Sequence, residues 1–394
     1  MGEEFEEVKF VFVKKRFSIH GGAERYLQTL IECLKRSGHE IHIFSNYWTK
    51  DGEAIFHKVK VLPFGSLLSI LTFNLNVKKA LESAFKTDCK ISFERTTYQD
   101  IYRAGEGCHR EWLKLRKLIE PSWRQCTFRI NPLHIALLSL EKKLFYNTKI
   151  IIANSHMVKK QIVKHYGLSE NKIHVVYNGV DLRRFSPQNR LDYRDSVRKD
   201  LSIPEEGKVI LFVGSGFERK GLLTLLRALS ILKTAKALSP AEIYLVVIGK
   251  GDIKKFKHLA QEYGLEGHIV FIGQEESVEK FYGSADIFVL PTVYDPFSNA
   301  TLEAMASGLP VVTTVHNGAS EIIEDGIDGF ILRDLLNYNE LAEKIMLVLS
   351  DNERMGINAR RKAEMYPIQK SAEEFMDVLI RFAGTSDGNL PGDG

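Results

Sequence analysis

The sequence predicts an α/β fold of two doubly wound parallel-sheet domains facing across a cleft, and three observations carry that expectation. The chain has 394 residues, 44% of them hydrophobic, about two domains' worth of length with apolar material for two separate cores. Short apolar runs alternate along it with segments whose apolar residues recur at helical spacing, the signature of strand–helix–strand units in a parallel sheet. Between Asn178 and Pro204 the alternation stops at Asn178-Gly179, Pro187 and a run of charges, which divides the chain in two.

Residues 9–13 form a buried-strand run, followed by a turn at Gly21-Gly22 and a helix carrying Leu27, Leu30, Ile31 and Leu34. Residues 41–44, 90–93 and 150–152 are further strands with helical stretches between them. The second half repeats the pattern with strands at 209–213, 243–248, 268–272, 287–290 and 311–313. Residues 352–382 read as two helices broken at Pro367, and the Gly-, Ser-, Asp-rich tail 384–394 has too little apolar content to fold. The expected division is a first domain 1–178, a linker 179–204, a second domain 205–365, a helix 366–383 packing back on the first domain, and a disordered tail.

The net charge of +4, from 54 basic and 50 acidic residues, is too balanced for bulk nucleic-acid binding. Cys33, Cys89, Cys108 and Cys126 lack the short spacings of a zinc knuckle or a disulfide framework, which fits a reducing compartment. Glu3, Glu4, Glu6 and Glu7 stand where a signal peptide carries base, and no stretch of about 18 apolar residues offers a membrane span. A cytoplasmic location follows.

In such folds ligands sit beyond the carboxyl ends of the strands, so the loops there are where chemistry is sought. The loop from Pro291 to Pro310 holds two carboxylates, Asp295 and Glu303, around a helix start that Ser298 or Asn299 caps. A helix start favours a phosphate, and carboxylates suit the hydroxyls of a sugar or ribose; the competing reading is an ordinary turn and a solvated helix face. The loop Gly214-Ser215-Gly216-Phe217-Glu218-Arg219-Lys220-Gly221 has Arg219 where a dinucleotide fingerprint has its third glycine. Its two adjacent cations suit a diphosphate, or are simply solvated. Gly249, Gly251, Gly273 and Gln274 end neighbouring strands and by themselves read as plain turns. In the first half, Gly21 and Gly22 permit close backbone approach, and Glu106 and His109 lie in a glycine-containing loop able to orient a hydroxyl and take its proton, unless they are satisfied structural residues. Residues 109–149 carry nine Lys or Arg against three Glu, interleaved with Trp112, Trp123 and Phe128. That mixture suits an anionic membrane surface, or a solvated helical insertion.

The run from Asp295-Pro296-Phe297-Ser298-Asn299-Ala300 to Glu303, continuing through Gly308-Leu309-Pro310, resembles the acidic-pair motif of the family-four retaining glycosyltransferases of the two-Rossmann (GT-B) type. Two glutamates are usual there; Asp295 is one methylene shorter. Ser215 occupies the family's usual Arg position, Lys220 keeps its place and Arg219 stands in, a variant similar to the lipopolysaccharide-core glucosyltransferase branch. The resemblance spans most of residues 8–382. It implies Rossmann-like domains, an N-terminal acceptor half and a C-terminal donor half. The donor contacts it implies are Gly21, Gly22, Gly214, Ser215, Arg219, Lys220, Gly249, Gly251, Gln274, Phe297, Ser298, Asn299 and Ala300, with Asp295 on the donor sugar and Glu303 on the ribose. It further implies transfer with retained configuration of a hexose, glucose by branch, from a nucleotide-diphosphate sugar such as UDP-glucose to a glycan or glycolipid. Neither metal nor cofactor is expected, no Asp-x-Asp diphosphate site lying in a matching loop. Two rival readings are a sugar-nucleotide epimerase of the same architecture and a non-catalytic sugar-nucleotide binder.

Overall fold

The structure is a computed structural model that describes residues 7–17, 22–48, 54–83, 87–234 and 243–384. Its chain divides into a unit of Met1–Asn178 with Ile368–Gly394 and a second unit of Gly179–Pro367. Gly21 and the tail beyond Gly384 lie outside the described residues.

The first unit is built on a seven-stranded parallel sheet in the order Ile55–Lys58, Glu40–Ser45, Lys9–Val13, Cys89–Ser92, Ile101–Arg103, Ile150–Ala153, Ile173–Val175. Successive side chains of a strand point to opposite faces, and Lys9–Val13 shows the result. Phe10 and Phe12 pack with Leu27, Leu30 and Leu34 of helix Gly22–Arg36 and with Phe375 and Leu379 of helix Ile368–Ala383. Val11 and Val13 face Phe73, Val77 and Leu81 of helix Gly65–Glu82. Each such side chain contributes about 1.5–3 kcal/mol by leaving water, so the last helix of the chain is part of this core.

The second unit has a six-stranded parallel sheet in the order Ile269–Gly273, Ile243–Ile248, Lys208–Val213, Ile287–Leu290, Val311–Thr314, Gly329–Leu332. A parallel sheet covered on both faces has continuous apolar strands, as in Val209, Ile210, Leu211 and Phe212, all fully buried. Residues 179–204 carry helix Gln188–Asp200. Its Arg190, Arg194 and Arg198 recur every fourth residue, on one helix face, and reach the buried carboxylate of Asp286 at 3.3, 3.0 and 2.7 Å. The same carboxylate accepts the Val209 N–H at 2.8 Å, which ties that helix to the sheet.

Both sheets reverse their winding once: between Lys9–Val13 and Cys89–Ser92 in the first unit, and between Lys208–Val213 and Ile287–Leu290 in the second. At such a reversal the two following loops diverge to opposite faces and leave a crevice for a ligand.

Candidate functional site

In the second unit the loops leaving the reversal point are 214–221 and 291–298, and they are built against each other. Gly221 has a left-handed φ of +79°, and a Cβ there would collide with the Pro291 carbonyl. The Arg219 carbonyl accepts the Val293 N–H at 2.8 Å and the Thr292 hydroxyl at 3.0 Å. Held this way, Lys220 Nζ donates to Asp295 Oδ2 in a tight ion pair, both side chains almost wholly buried. The two charges compensate each other; Asp295 Oδ1 has no partner among the described residues, and neither does the Arg219 guanidinium.

Asp295 is fixed by its backbone: its N–H donates to the His316 carbonyl at 2.9 Å and its carbonyl accepts from Gly318 at 2.8 Å. Of the two possible caps it is Ser298 that caps helix Asn299–Ala306, its hydroxyl accepting the Thr301 N–H at 3.3 Å. Fully buried Asn317, which the sequence reading does not single out, locks this start by accepting from Ser298 and Ala319 amides and donating to Thr301 and Thr313 hydroxyls, all at 3.0–3.1 Å. Phe297 is buried, while Asn299 and Ala300 are half-buried.

Glu303, half-buried one turn inside the helix, accepts from the Tyr282 hydroxyl at 2.9 Å through Oε2. Loss of solvation raises its carboxyl above the ordinary value, opposed by the Tyr282 bond and the charge of Arg184 and reinforced by Glu279. Its Oε1 has no partner among the described residues.

The neighbouring strand ends close on the cation loop. Gly214 donates to the Ile248 carbonyl at 2.9 Å, Gly216 to that of Lys250 at 2.7 Å, and the Ser215 hydroxyl accepts the Lys250 N–H at 3.2 Å. Gly249, at φ +131°, abuts the Gly214 carbonyl, and Gly251 lies against the Phe217 ring, leaving neither room for a Cβ. Gln274 is exposed beyond these strands, with Gly273 accepting the Gly249 N–H at 2.7 Å.

In the first unit the strand ends gather charges. Glu94, another residue absent from the sequence reading, follows the strand beside the reversal point; its Oε1 accepts the Lys15 N–H at 3.1 Å with Lys14 Nζ at 3.9 Å. Burial and the charge of Glu106 raise its carboxyl. Glu106 itself is ion-paired with Arg95 and keeps 54% of its side chain exposed. His109 does not reach this rim. It is buried, its backbone N–H donates to Glu141 at 2.6 Å, its Nε2 faces His134 Nδ1 at 3.2 Å, and burial with the nearby Arg95 pushes its pKa down to about 3. Gly22 opens helix Gly22–Arg36.

The basic stretch 109–149 forms helices His109–Arg116, Ser122–Ile130 and Pro132–Asn147. Trp123, Ile130 and Ile135 are exposed, whereas Phe128 is buried under the Arg116 guanidinium. Glu111, Glu120 and Glu141 are satisfied internally. Lys117, Arg129, Lys142 and Lys143 are exposed and carry no ion pair among the described residues. No described helix is long and apolar enough to cross a membrane, and no described cluster of His, Cys, Asp and Glu could hold a metal ion.

Residues 194–362 match the family model of Glycosyl transferases group 1 and residues 102–184 that of Glycosyltransferase Family 4, together more than half of the chain. An uncharacterized glycosyltransferase of Methanocaldococcus jannaschii is 30% identical over 250 residues, covering 62% of this chain and 63% of the relative, so the match takes in less than two thirds of that protein's length. The lipopolysaccharide glucosyltransferase WaaG of Escherichia coli is 23% identical over 371 residues, 91% of this chain and 95% of the relative. A WaaG crystal structure superposes with a TM-score of 0.80 at 21% identity, covering 94% of this chain and 99% of that one. A structure of Anabaena Alr3699/HepE in complex with UDP-glucose superposes with a TM-score of 0.70 at 18% identity, covering 95% of this chain and 99% of the other. The fold is that of these two-Rossmann proteins.

Proposed function

We propose that this chain, which belongs to the family-four glycosyltransferases of the two-Rossmann type, moves a hexose from a nucleotide-diphosphate sugar to a hydroxyl of a glycan or glycolipid, with UDP-glucose as donor and a lipopolysaccharide-core type of acceptor. The observation that carries the reading is the pair of half-satisfied carboxylates. Asp295 and Glu303 each have one oxygen engaged by a buried donor and the other without a partner among the described residues. A polyhydroxylated ligand supplies the missing donors.

The diphosphate lies against Lys220, Arg219 and the amide end of helix Asn299–Ala306, Asp295 takes hydroxyls of the donor sugar, and Glu303 takes the ribose. In the reaction the bond from the anomeric carbon to the diphosphate oxygen breaks, and its electron pair leaves with the diphosphate. Lys220 and Arg219 stabilise the charge that grows there, without a metal. The acceptor oxygen approaches the same face, so configuration is retained. Glu106 is the first unit's candidate for orienting an acceptor hydroxyl and accepting its proton, while His109 is structural. The uridine and the glucose draw support from the HepE complex and from the WaaG relationship.

The acceptor class connects with the exposed Trp123, Ile130 and Ile135 among four unpaired cations. This face docks on an anionic cytoplasmic membrane surface, each cation contributing about 1 kcal/mol. Vesicle binding is expected to require anionic lipid and to weaken with salt; binding indifferent to both removes this part.

The test of the activity is incubation of radiolabelled UDP-glucose with core-truncated lipopolysaccharide. Label should enter the lipid. Epimerised sugar nucleotide formed without acceptor instead identifies an epimerase, and bound but unconsumed nucleotide sugar a non-catalytic binder.

A further inference from the structure

We propose that Tyr282 is a positioning residue of the donor site: its hydroxyl fixes one oxygen of Glu303 so that the other is presented to the ribose, and it thereby sets how well the protein distinguishes a ribonucleotide from a deoxynucleotide. The inference rests on the assignment of Glu303 to the ribose made above.

Tyr282 lies on the short helix Glu279–Ser284, outside the acidic motif, and is fully buried. Its ring is held edge-on by Phe185 at 5.5 Å and lies tilted against Phe288 at 6.0 Å, so the hydroxyl has one place to be. A buried phenol needs a hydrogen-bond partner. This one has Glu303 Oε2 at 2.9 Å and the Ala300 carbonyl at 3.2 Å. Both belong to helix Asn299–Ala306, one turn apart, so the phenol reads the position of that helix and the rotamer of its carboxylate together. A carboxylate is planar; holding one oxygen leaves the other only a narrow arc. Oε1 therefore stays oriented without spending a bond of its own.

The electrostatics point the same way. Burial favours the neutral acid at Glu303, and the Tyr282 bond opposes it. The ionised form is the better one for a diol, because it accepts with every lone pair and donates nothing. Without the phenol oxygen, Glu303 would turn more freely and ionise less readily, while the apolar packing of the ring would be unchanged.

Calorimetric binding of UDP, ADP and GDP, each against its 2′,3′-dideoxy counterpart, tests this in the whole chain and in the variants Tyr282→Phe and Glu303→Gln. The parent should bind the ribose form of its preferred nucleotide more tightly. In Tyr282→Phe that preference should fall about tenfold, the size of one hydrogen bond to a charged group, with affinity for the dideoxy form kept within about twofold. Glu303→Gln should lose the preference as well. If Glu303→Gln loses it and Tyr282→Phe keeps it, or Tyr282→Phe weakens both forms equally, the role of Tyr282 is overturned and the ribose assignment stands. If Glu303→Gln keeps the preference, or none of the three nucleotides binds, the ribose assignment itself is wrong and Tyr282 falls with it.

Discussion

Replacing Lys220 by Met separates what the residue does for the fold from what it does for the reaction. Lys220 and Asp295 have 11% and 8% of their side chains exposed, so removing the ammonium leaves a carboxylate buried without its counter-charge. Breaking a buried pair from one side costs about 3–5 kcal/mol. The lower end applies, because both side chains keep some contact with water. A domain of this size loses about 2–4 °C in Tm per kcal/mol, so a fall of roughly 6–12 °C is expected in a thermal melt. Adding Asp295→Asn removes the stranded charge and should return most of that loss, giving a coupling of about 2 kcal/mol in the double-mutant cycle. Turnover should not return: losing one charged donor to the leaving group costs about 10²–10³ in rate. A stable but inactive double variant is the expected outcome. A Lys220→Met chain that melts with the parent would show that the pair does not form, and a double variant with parental turnover would show that the diphosphate is held elsewhere.

Asp286→Asn should destabilise the second unit by about 3–5 kcal/mol, since Arg190, Arg194 and Arg198 then face one another without their shared anion; chemical denaturation would measure it. The Asp286 carboxyl lies below its ordinary value of 3.8, burial being outweighed by the Val209 N–H and the three arginines. Its contribution is therefore present above that value and is lost as acid carries the pH down through the lower folded one, so the gap between parent and Asp286→Asn should close only in strong acid. Nucleotide affinity should follow Glu303, whose carboxyl is shifted the other way. Its folded value is raised above 4.5, with Tyr282, Arg184 and Glu279 as the groups facing it, and a diol binds the ionised form best. Affinity should therefore grow as pH rises through that raised value, and Glu303→Gln should flatten this limb of the calorimetric profile.

What the sequence makes legible depends on whether a feature's cause is local. The strands at 9–13 and 209–213 announce themselves because residues 10–13 and 209–213 are apolar without a break. Ile101–Arg103 does not, being three residues long and ending in Arg103, whose guanidinium lies over the rings of Tyr26 and Phe375, the latter on the last helix of the chain. The charge run in 179–204 reads as a linker because the Asp286 that answers its arginines lies some ninety positions on. The site divides the same way. Lys220, Asp295, Ser298 and Glu303 stand out by residue type next to glycine turns and a helix start. Tyr282 and Asn317 become visible only once the second unit's sheet order places their elements beside those loops, and Glu94 only once the first unit's sheet order is known, since nothing in their neighbours' identities marks them. His109 shows the converse: an imidazole in a glycine-containing loop looks chemical until its burial against His134 and Glu141 is seen.

The claim on which the rest depends is that the second unit receives a nucleotide diphosphate sugar between Lys220 and Glu303. Thermal melting of the parent and of Lys220→Met with Asp295→Asn, across a panel of nucleotide sugars, addresses it without knowledge of the acceptor. A ligand at 100 times its dissociation constant adds about 2.7 kcal/mol to stability, so one nucleotide sugar should raise the parental Tm by several degrees and leave the double variant nearly unmoved. A panel in which no nucleotide sugar shifts the parent, or in which the double variant shifts equally, would contradict it.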